Sequence, residues 1–235
     1  MSNYINSYAI WENLNSLDSF EEKDQVILFT DVESSSKLWK LHEMGMFNAL
    51  KEHEDRISTI IKKYRGEIIK TIGDSYMLGF DGKDSLLDSI KFAHEIQLDL
   101  RKKPIKIKGK SLKIRLGIHK GPLYKKKVMI QGKKLIDYFG NTVNTASRME
   151  STVGESGDIA FSWTGDLDSA EEGRIKDWIE KSGLKVEIID YKHRCYSGKR
   201  KRSGRLLSEL QVHTCEPITQ LKGVAPVTAF KLKVK

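Results

Sequence analysis

The 235-residue sequence predicts an α+β domain, and three observations carry that prediction. Short apolar runs bounded by turn residues alternate with longer stretches of helical periodicity. Two strand-like runs meet at one tight turn, Gly73-Asp74, where glycine can take a positive φ without a Cβ clash. The order of strand, helix, strand-turn-strand, helix, strand is that of a split βαβ, ferredoxin-like sheet covered by helices.

Residues 1–24 read as a polar lead-in. Trp11, Leu14, Leu17 and Phe20 recur there roughly every three residues, the spacing of a short amphipathic helix. The apolar run Val26-Ile27-Leu28-Phe29-Thr30 makes residues 25–31 the first buried strand, which ends on Asp31. Ser34, Ser35 and Ser36 precede a helix over 37–46. Serines there cap the first turn, whose free N–H groups favour an anion. A second helix, 47–64, puts Leu50, Ile57, Ile60 and Ile61 on one face. The hairpin over 67–80 follows. A third helix, 85–100, carries Leu86, Ile90, Ala93, Ile96 and Leu100 at helical spacing, and a strand over 112–119 leads to Gly121-Pro122. A bend at Gly140 opens a helix with Val143, Ala146 and Met149 inward. Beyond it, 159–161 reads as a short strand, 166–179 as a helix with Trp178 inward, 186–191 as a strand, and 206–214 with 227–234 as edge strands. With no repeat and no Pro- or Gly-rich linker, residues 25–235 form one domain. Residues 163–216 are a C-terminal insertion within it, with a basic loop at 192–205.

The formal net charge is +9. Much of it lies in three tracts, Arg101 to Arg115, Lys125 to Lys134 and Lys192 to Arg205, which suit either a polyanion or plain solvation. Interleaved aromatics and known nucleic-acid motifs are missing from these tracts, so neither DNA nor RNA is expected as a partner. No run reaches the ~18 apolar residues of a membrane span, and Met1 to Phe20 lacks the order of a signal peptide. Cys195 and Cys215 are the only cysteines, which argues against a disulfide framework or a zinc site. A cytoplasmic location is expected.

Two carboxylates at the ends of neighbouring strands, Asp31 and Asp74, can hold divalent cations against a phosphate chain. Asn144 and Arg148, four apart, share one helical face and suit an oxyanion or a phosphate. Taken singly, each is what a turn or a polar surface would show. His119, alone at a strand end, reads as a packed or hydrogen-bonded histidine.

Four segments in this order carry a resemblance: FTDVESS (29–35), IKTIGDSYM (69–77), IRLGIHKGP (114–122) and DYFGNTVNTASRME (137–150). Together they resemble the class III nucleotidyl cyclase catalytic domain, over about 25–162 with a weaker echo at 218–234. The resemblance implies a cyclase/palm-type sheet and two divalent metal ions, Mg²⁺ or Mn²⁺, on Asp31, Asp74 and the Val32 backbone carbonyl. It implies Asn144 and Arg148 as the transition-state pair, Lys70 and Asp137 as the base-reading pair, and Lys222 on the triphosphate. Ser34 and Ser35 would join the triphosphate site. It also implies a head-to-tail homodimer with shared active sites. Two regions depart from the pattern: the lysine-rich arm between Gly121 and Asp137, and residues 163–216.

Lys70 can only donate and ionised Asp137 can only accept. Adenine offers an N1 acceptor beside an N6 donor and matches both, whereas guanine opposes both. Each buried mismatch costs roughly 1–3 kcal/mol. ATP is therefore the expected substrate, with CTP the competitor excluded least. Two other readings remain open here: a cyclase acting on CTP, UTP or GTP, and a silent domain that binds nucleotide or polyanion.

Overall fold

The computed structural model of the chain describes residues 20–130, 133–190 and 228–234. The first half contains β1 (Phe20–Val32), α1 (Ser35–Leu41), α2 (Glu43–Ile61), β2 (Gly66–Ile72), β3 (Ser75–Phe80) and α3 (Ser85–Lys102). The short strands β4 (Lys106–Ile107) and β5 (Lys110–Ser111) then precede β6 (Ile114–Ile130), β7 (Lys133–Phe139) and α4 (Asn141–Arg148). The described chain ends with β8 (Asp158–Trp163), α5 (Ser169–Ser182), β9 (Lys185–Asp190) and β10 (Thr228–Lys233).

The main sheet runs β2-β3-β1-β6-β8-β10-β9, with β7 paired to β6 beside this path. Its first four strands have the ferredoxin-like order, β1 lying antiparallel between β3 and β6. The sheet is mixed because β6 and β8 pair in parallel. The expected α+β architecture, a sheet covered by helices, is the one observed.

Alternation along β1 divides the sheet into two faces. Val26, Leu28 and Val32 enter a large core with Met46 and Ile57 of α2 and Leu86, Ile90 and Phe92 of α3. Ile27 and Phe29 point the other way, into a small cluster with Met77, Leu123, Tyr138 and Ala146. Asp31 is next in that second series.

Several boundaries differ from expectation. Phe20 to Asp24 are strand rather than the end of an amphipathic helix, because they pair with β6 from Phe20↔Lys126 to Asp24↔Pro122. The expected helices 37–46 and 47–64 instead break at His42. That residue is extended, and its Nδ1 accepts the Gly45 N–H at 2.7 Å, which caps α2. The strand expected at 112–119 runs on to Ile130 as the centre of a three-stranded arm, held by β1 and β7. The helix and strand expected in the 163–216 region are present as α5 and β9, and β9 joins the main sheet through β10. The lead-in up to residue 19, the basic loop 192–205, the strand 206–214, Cys195, Cys215 and Lys222 lie outside the described residues. Among the described residues no helix is long and apolar enough to cross a membrane.

Candidate functional site

The site is assembled at the ends of β1 and β3. These strands pair from Val26↔Phe80 to Thr30↔Tyr76, so Asp31 lies beside Ser75 and just short of the hairpin tip that carries Asp74. The tip is a two-residue loop closed by Ile72↔Ser75, with Gly73 at φ 65°. A Cβ on Gly73 would meet nothing within 4 Å, so glycine is required there for its backbone angle and not for space.

Asp31 is held at both carboxylate oxygens. Ser75 Oγ donates to Oδ1 at 2.8 Å, and the Arg115 guanidinium donates to Oδ2. Arg115 sits directly opposite Asp31 in the β1–β6 register. Asp74 differs: its Oδ2 is buried and has no hydrogen-bond partner among the described residues. A buried carboxylate oxygen of that kind is costly unless something else satisfies it. Two carboxylates offering hard oxygen donors fit Mg²⁺ or Mn²⁺, ions that share their remaining positions with water and phosphate oxygens. Among the described residues no cluster of three or more His, Cys, Asp or Glu side chains could hold a metal ion by itself.

A third acid approaches this pair. Arg148 ends α4, and the chain continues through a wider π turn, Met149–Val153, which places Glu150 against Arg115. The Arg115 Nε and Glu150 Oε1 are 3.0 Å apart as an ion pair, yet not aligned as a hydrogen bond. Burial pushes the Glu150 carboxyl up to about 7; Arg115 opposes this, and Asp31 and Asp74 add to it. The approach depends on Gly117, where a Cβ would stand 2.0 Å from the Glu150 backbone nitrogen.

Lys70 and Asp137, 67 residues apart, meet at 2.7 Å between Nζ and Oδ1. Simple alternation would place Lys70 on the face of Ile68, which packs on the large core. The β2–β3 register shifts between Ile68 and Lys70, so that Lys70 pairs with Met77 of the small cluster. The Asp137 Oδ1 also accepts the Tyr138 N–H at 2.8 Å. Tyr138 in turn donates to Glu67 at 3.0 Å.

Asn144 and Arg148 lie on the exposed side of α4. Their side chains have no hydrogen bond or ion pair among the described residues, and they are not joined to the Asp31–Asp74 corner. Ser34 occupies the N-cap position of α1 in the left-handed region, at φ 57°, and its side chain makes no capping bond. The expected serine cap is therefore not made by Ser34, because its hydroxyl does not reach the first-turn amides from this conformation. Ser35 begins the helix, which is seven residues long. Lys222 lies outside the described residues. His119 is buried between Ser162 Oγ at 2.8 Å and Thr164 Oγ1 at 2.9 Å, and burial lowers its pKa to about 4. It is a bonded core histidine, as read from its position.

Sequence reasoning missed Arg115, Glu150 and Ser75. Each stands inside or beside a segment already singled out, but only the strand register across 84 residues brings Arg115 to Asp31.

Comparison with known proteins identifies the family and the fold. The family model described as "Adenylate and Guanylate cyclase catalytic domain" matches residues 19–167. A receptor-type adenylate cyclase of Trypanosoma equiperdum is 29% identical over 195 residues, covering 67% of this chain and 40% of that protein. The guanylate cyclase soluble subunit beta-2 of Rattus norvegicus is 33% identical over 136 residues, covering 53% of this chain and 19% of that protein. The chain thus matches less than half the length of either relative. Among solved structures, the catalytic core of a rhodopsin-guanylyl cyclase with converted specificity, in complex with ATPalphaS, shares the fold with a TM-score of 0.64. That likeness comes at 21% identity and covers 92% of this chain and 98% of that one.

Proposed function

We propose that this chain, which belongs to the adenylate and guanylate cyclase catalytic domain family, converts ATP to 3′,5′-cyclic AMP and pyrophosphate. The observation that carries the choice of ATP is the Lys70–Asp137 pair at 2.7 Å. A lone donor beside a lone acceptor complements adenine N1 and N6 and opposes the N1–H and O6 of guanine. The pair stands ready before any base arrives, so little ordering is required on binding.

Asp31, Asp74 and the Val32 carbonyl are the groups that would hold two divalent cations. When bound there, such ions lower the pKa of the ribose 3′-hydroxyl and clamp the triphosphate. The 3′-oxygen forms a bond to the α-phosphorus as the bond from that phosphorus to the β-phosphate bridging oxygen breaks. The hydroxyl proton passes to solvent, and pyrophosphate leaves. Arg148 meets the charge that builds on the α-phosphoryl oxygens, and Asn144 orients the ribose. Ser34, Ser35 and Lys222 are assigned to the triphosphate.

Asn144 and Arg148 stand exposed on α4, with no side-chain hydrogen bond or ion pair among the described residues, to Asp31 or Asp74 or to any other. This supports a homodimer in which one copy supplies the carboxylates and its partner the α4 pair and the base readers. Ile72 at the hairpin tip and Phe139 at the end of β7 are 54% and 45% exposed, which is apolar surface such a dimer would cover. The test is direct. The purified chain is given ATP, GTP, CTP or UTP with Mg²⁺ or Mn²⁺, and products are identified by mass. Cyclic AMP as the main product supports the reading; cyclic GMP, cyclic CMP or no cyclic product overturns it.

A further inference from the structure

We infer that Arg115 is a positioning residue shared between two carboxylates: it neutralises Asp31 while that side chain has no cation, and Glu150 receives its guanidinium when a cation takes Asp31. This inference rests on the reading of Asp31 and Asp74 as cation ligands.

Three observations carry it. Both Asp31 oxygens already accept bonds, from Ser75 and from Arg115, so a divalent ion must compete with a guanidinium for Oδ2. Arg115 has a second anion within reach, since its Nε is 3.0 Å from Glu150 Oε1 and neither atom has an aligned partner among the described residues. The Glu150 side chain is only 10% exposed, so its free oxygen has little water to turn to. A small rotation of the guanidinium would exchange its hydrogen bond to Asp31 for one to Glu150. Glu150 cannot drift away to accommodate this, because its backbone nitrogen abuts Gly117 of β6.

Linkage then sets opposite signs for the two residues. Removing the charge of Glu150 leaves Asp31 as the one ion-pair partner of Arg115 among the described residues, which strengthens the competitor and weakens cation binding. Removing the charge of Arg115 leaves Asp31 and Glu150 without an ion-pair partner among the described residues, which strengthens cation binding even though Asp31 loses an anchor. A purely structural role would weaken binding in both variants.

The experiment titrates Mn²⁺ into the nucleotide-free 235-residue chain and reads unbound Mn²⁺ by electron paramagnetic resonance, with a thermal melt of each variant alongside. Glu150→Gln should raise the Mn²⁺ Kd and Arg115→Met should lower it, each by roughly tenfold, a usual size for coupling between two bound groups. Arg115→Lys, which keeps the charge but loses the fork that reaches both carboxylates, should fall between the parent and Arg115→Met. Shifts in the same direction, or none in variants that melt with the parent, overturn the inference. Asp31→Asn separates this from failure of the site itself. If the parent binds no Mn²⁺, or Asp31→Asn binds it as well as the parent does, the cation reading falls and the inference falls with it.

Discussion

The same strands of this sheet present two faces put to different uses. On one, Val26, Leu28 and Val32 meet α2 and α3 in a large core that includes the Phe80–Phe92 ring contact at 5.6 Å. On the other, apolar burial among the described residues amounts to a small cluster of six buried side chains, and the next residue in the β1 series is Asp31. The difference shows how a carboxylate is desolvated enough to interact with its neighbours yet stays reachable. The strand is anchored by the packed face, and the thinner face leaves its end open.

This contrast can be broken by substitutions that strike one face only. The largest effect belongs to the open face. Asp74→Ala should lower cyclase activity by at least about a thousandfold, equivalent to roughly 4 kcal/mol of transition-state stabilisation. Its melting temperature should be unchanged or raised, since a buried oxygen with no hydrogen-bond partner among the described residues is removed. Arg148→Ala should also be inactive, with kcat lowered far more than KM is raised. Mixed Asp74→Ala and Arg148→Ala chains should regain part of the activity, because one of the two hybrid sites is intact. No recovery among chains shown to exchange partners would refute shared sites.

The packed face answers next. Phe92→Ala, at a fully buried position, should cost about 3–5 kcal/mol in denaturant unfolding. Activity per folded molecule should remain close to the parent's.

A third test uses pH. His53 is buried on α2, edge-on to Tyr76, with both ring nitrogens unpartnered among the described residues. Burial, and secondarily Arg56, lowers its pKa from 6.5 to about 4. The unfolded chain therefore takes up this proton first, so the contribution of His53 is whole above pH 6.5 and is lost as pH falls toward 4. The loss amounts to about 3 kcal/mol. His53→Leu should be within about 1 kcal/mol of the parent at pH 7. It should also show a shallower fall in unfolding free energy between pH 6.5 and 4. Glu150, raised to about 7, acts with the opposite sign over much of this window, and the parent-minus-variant difference removes its effect. Equal pH slopes in the two proteins would refute the assignment.

The smallest effect concerns base choice. Asp137→Ala removes the acceptor beside Lys70 and should narrow the proposed preference for ATP over GTP by about 10- to 100-fold in kcat/KM. An unchanged ratio would show that the base is read elsewhere.

What was legible in the sequence was mostly local. The β2–β3 hairpin could be read from its glycine turn and flanking alternation, and α3 from one unbroken apolar stripe. The order of these elements was enough for the ferredoxin-like half of the sheet. The β6–β7 arm could not be read this way. Tyr124 to Lys127 is a polar, lysine-rich run with no buried face, and it is strand because β1 and β7 supply hydrogen-bond partners on both sides. The Lys70–Asp137 contact depends on a register shift that residue types do not announce, and Arg115 reaches Asp31 only through long-range pairing. Both aspartates stood out as strand-end acids. Their guanidinium neighbour did not, because an arginine alternating with Ile114 and Leu116 looks like any solvent-facing strand residue.

Position 117 has a mechanical consequence. With a hydrogen as its only side chain, it lets the turn after α4 rest backbone to backbone on β6, a strand paired with β1 from Ile114 to Lys126. The helix bearing Asn144 and Arg148 and the strand bearing Asp31 are thus welded into one stiff piece within a copy. In the proposed homodimer, closing motion around a nucleotide would then fall between copies, and the weld would carry a shift at one pocket to the other.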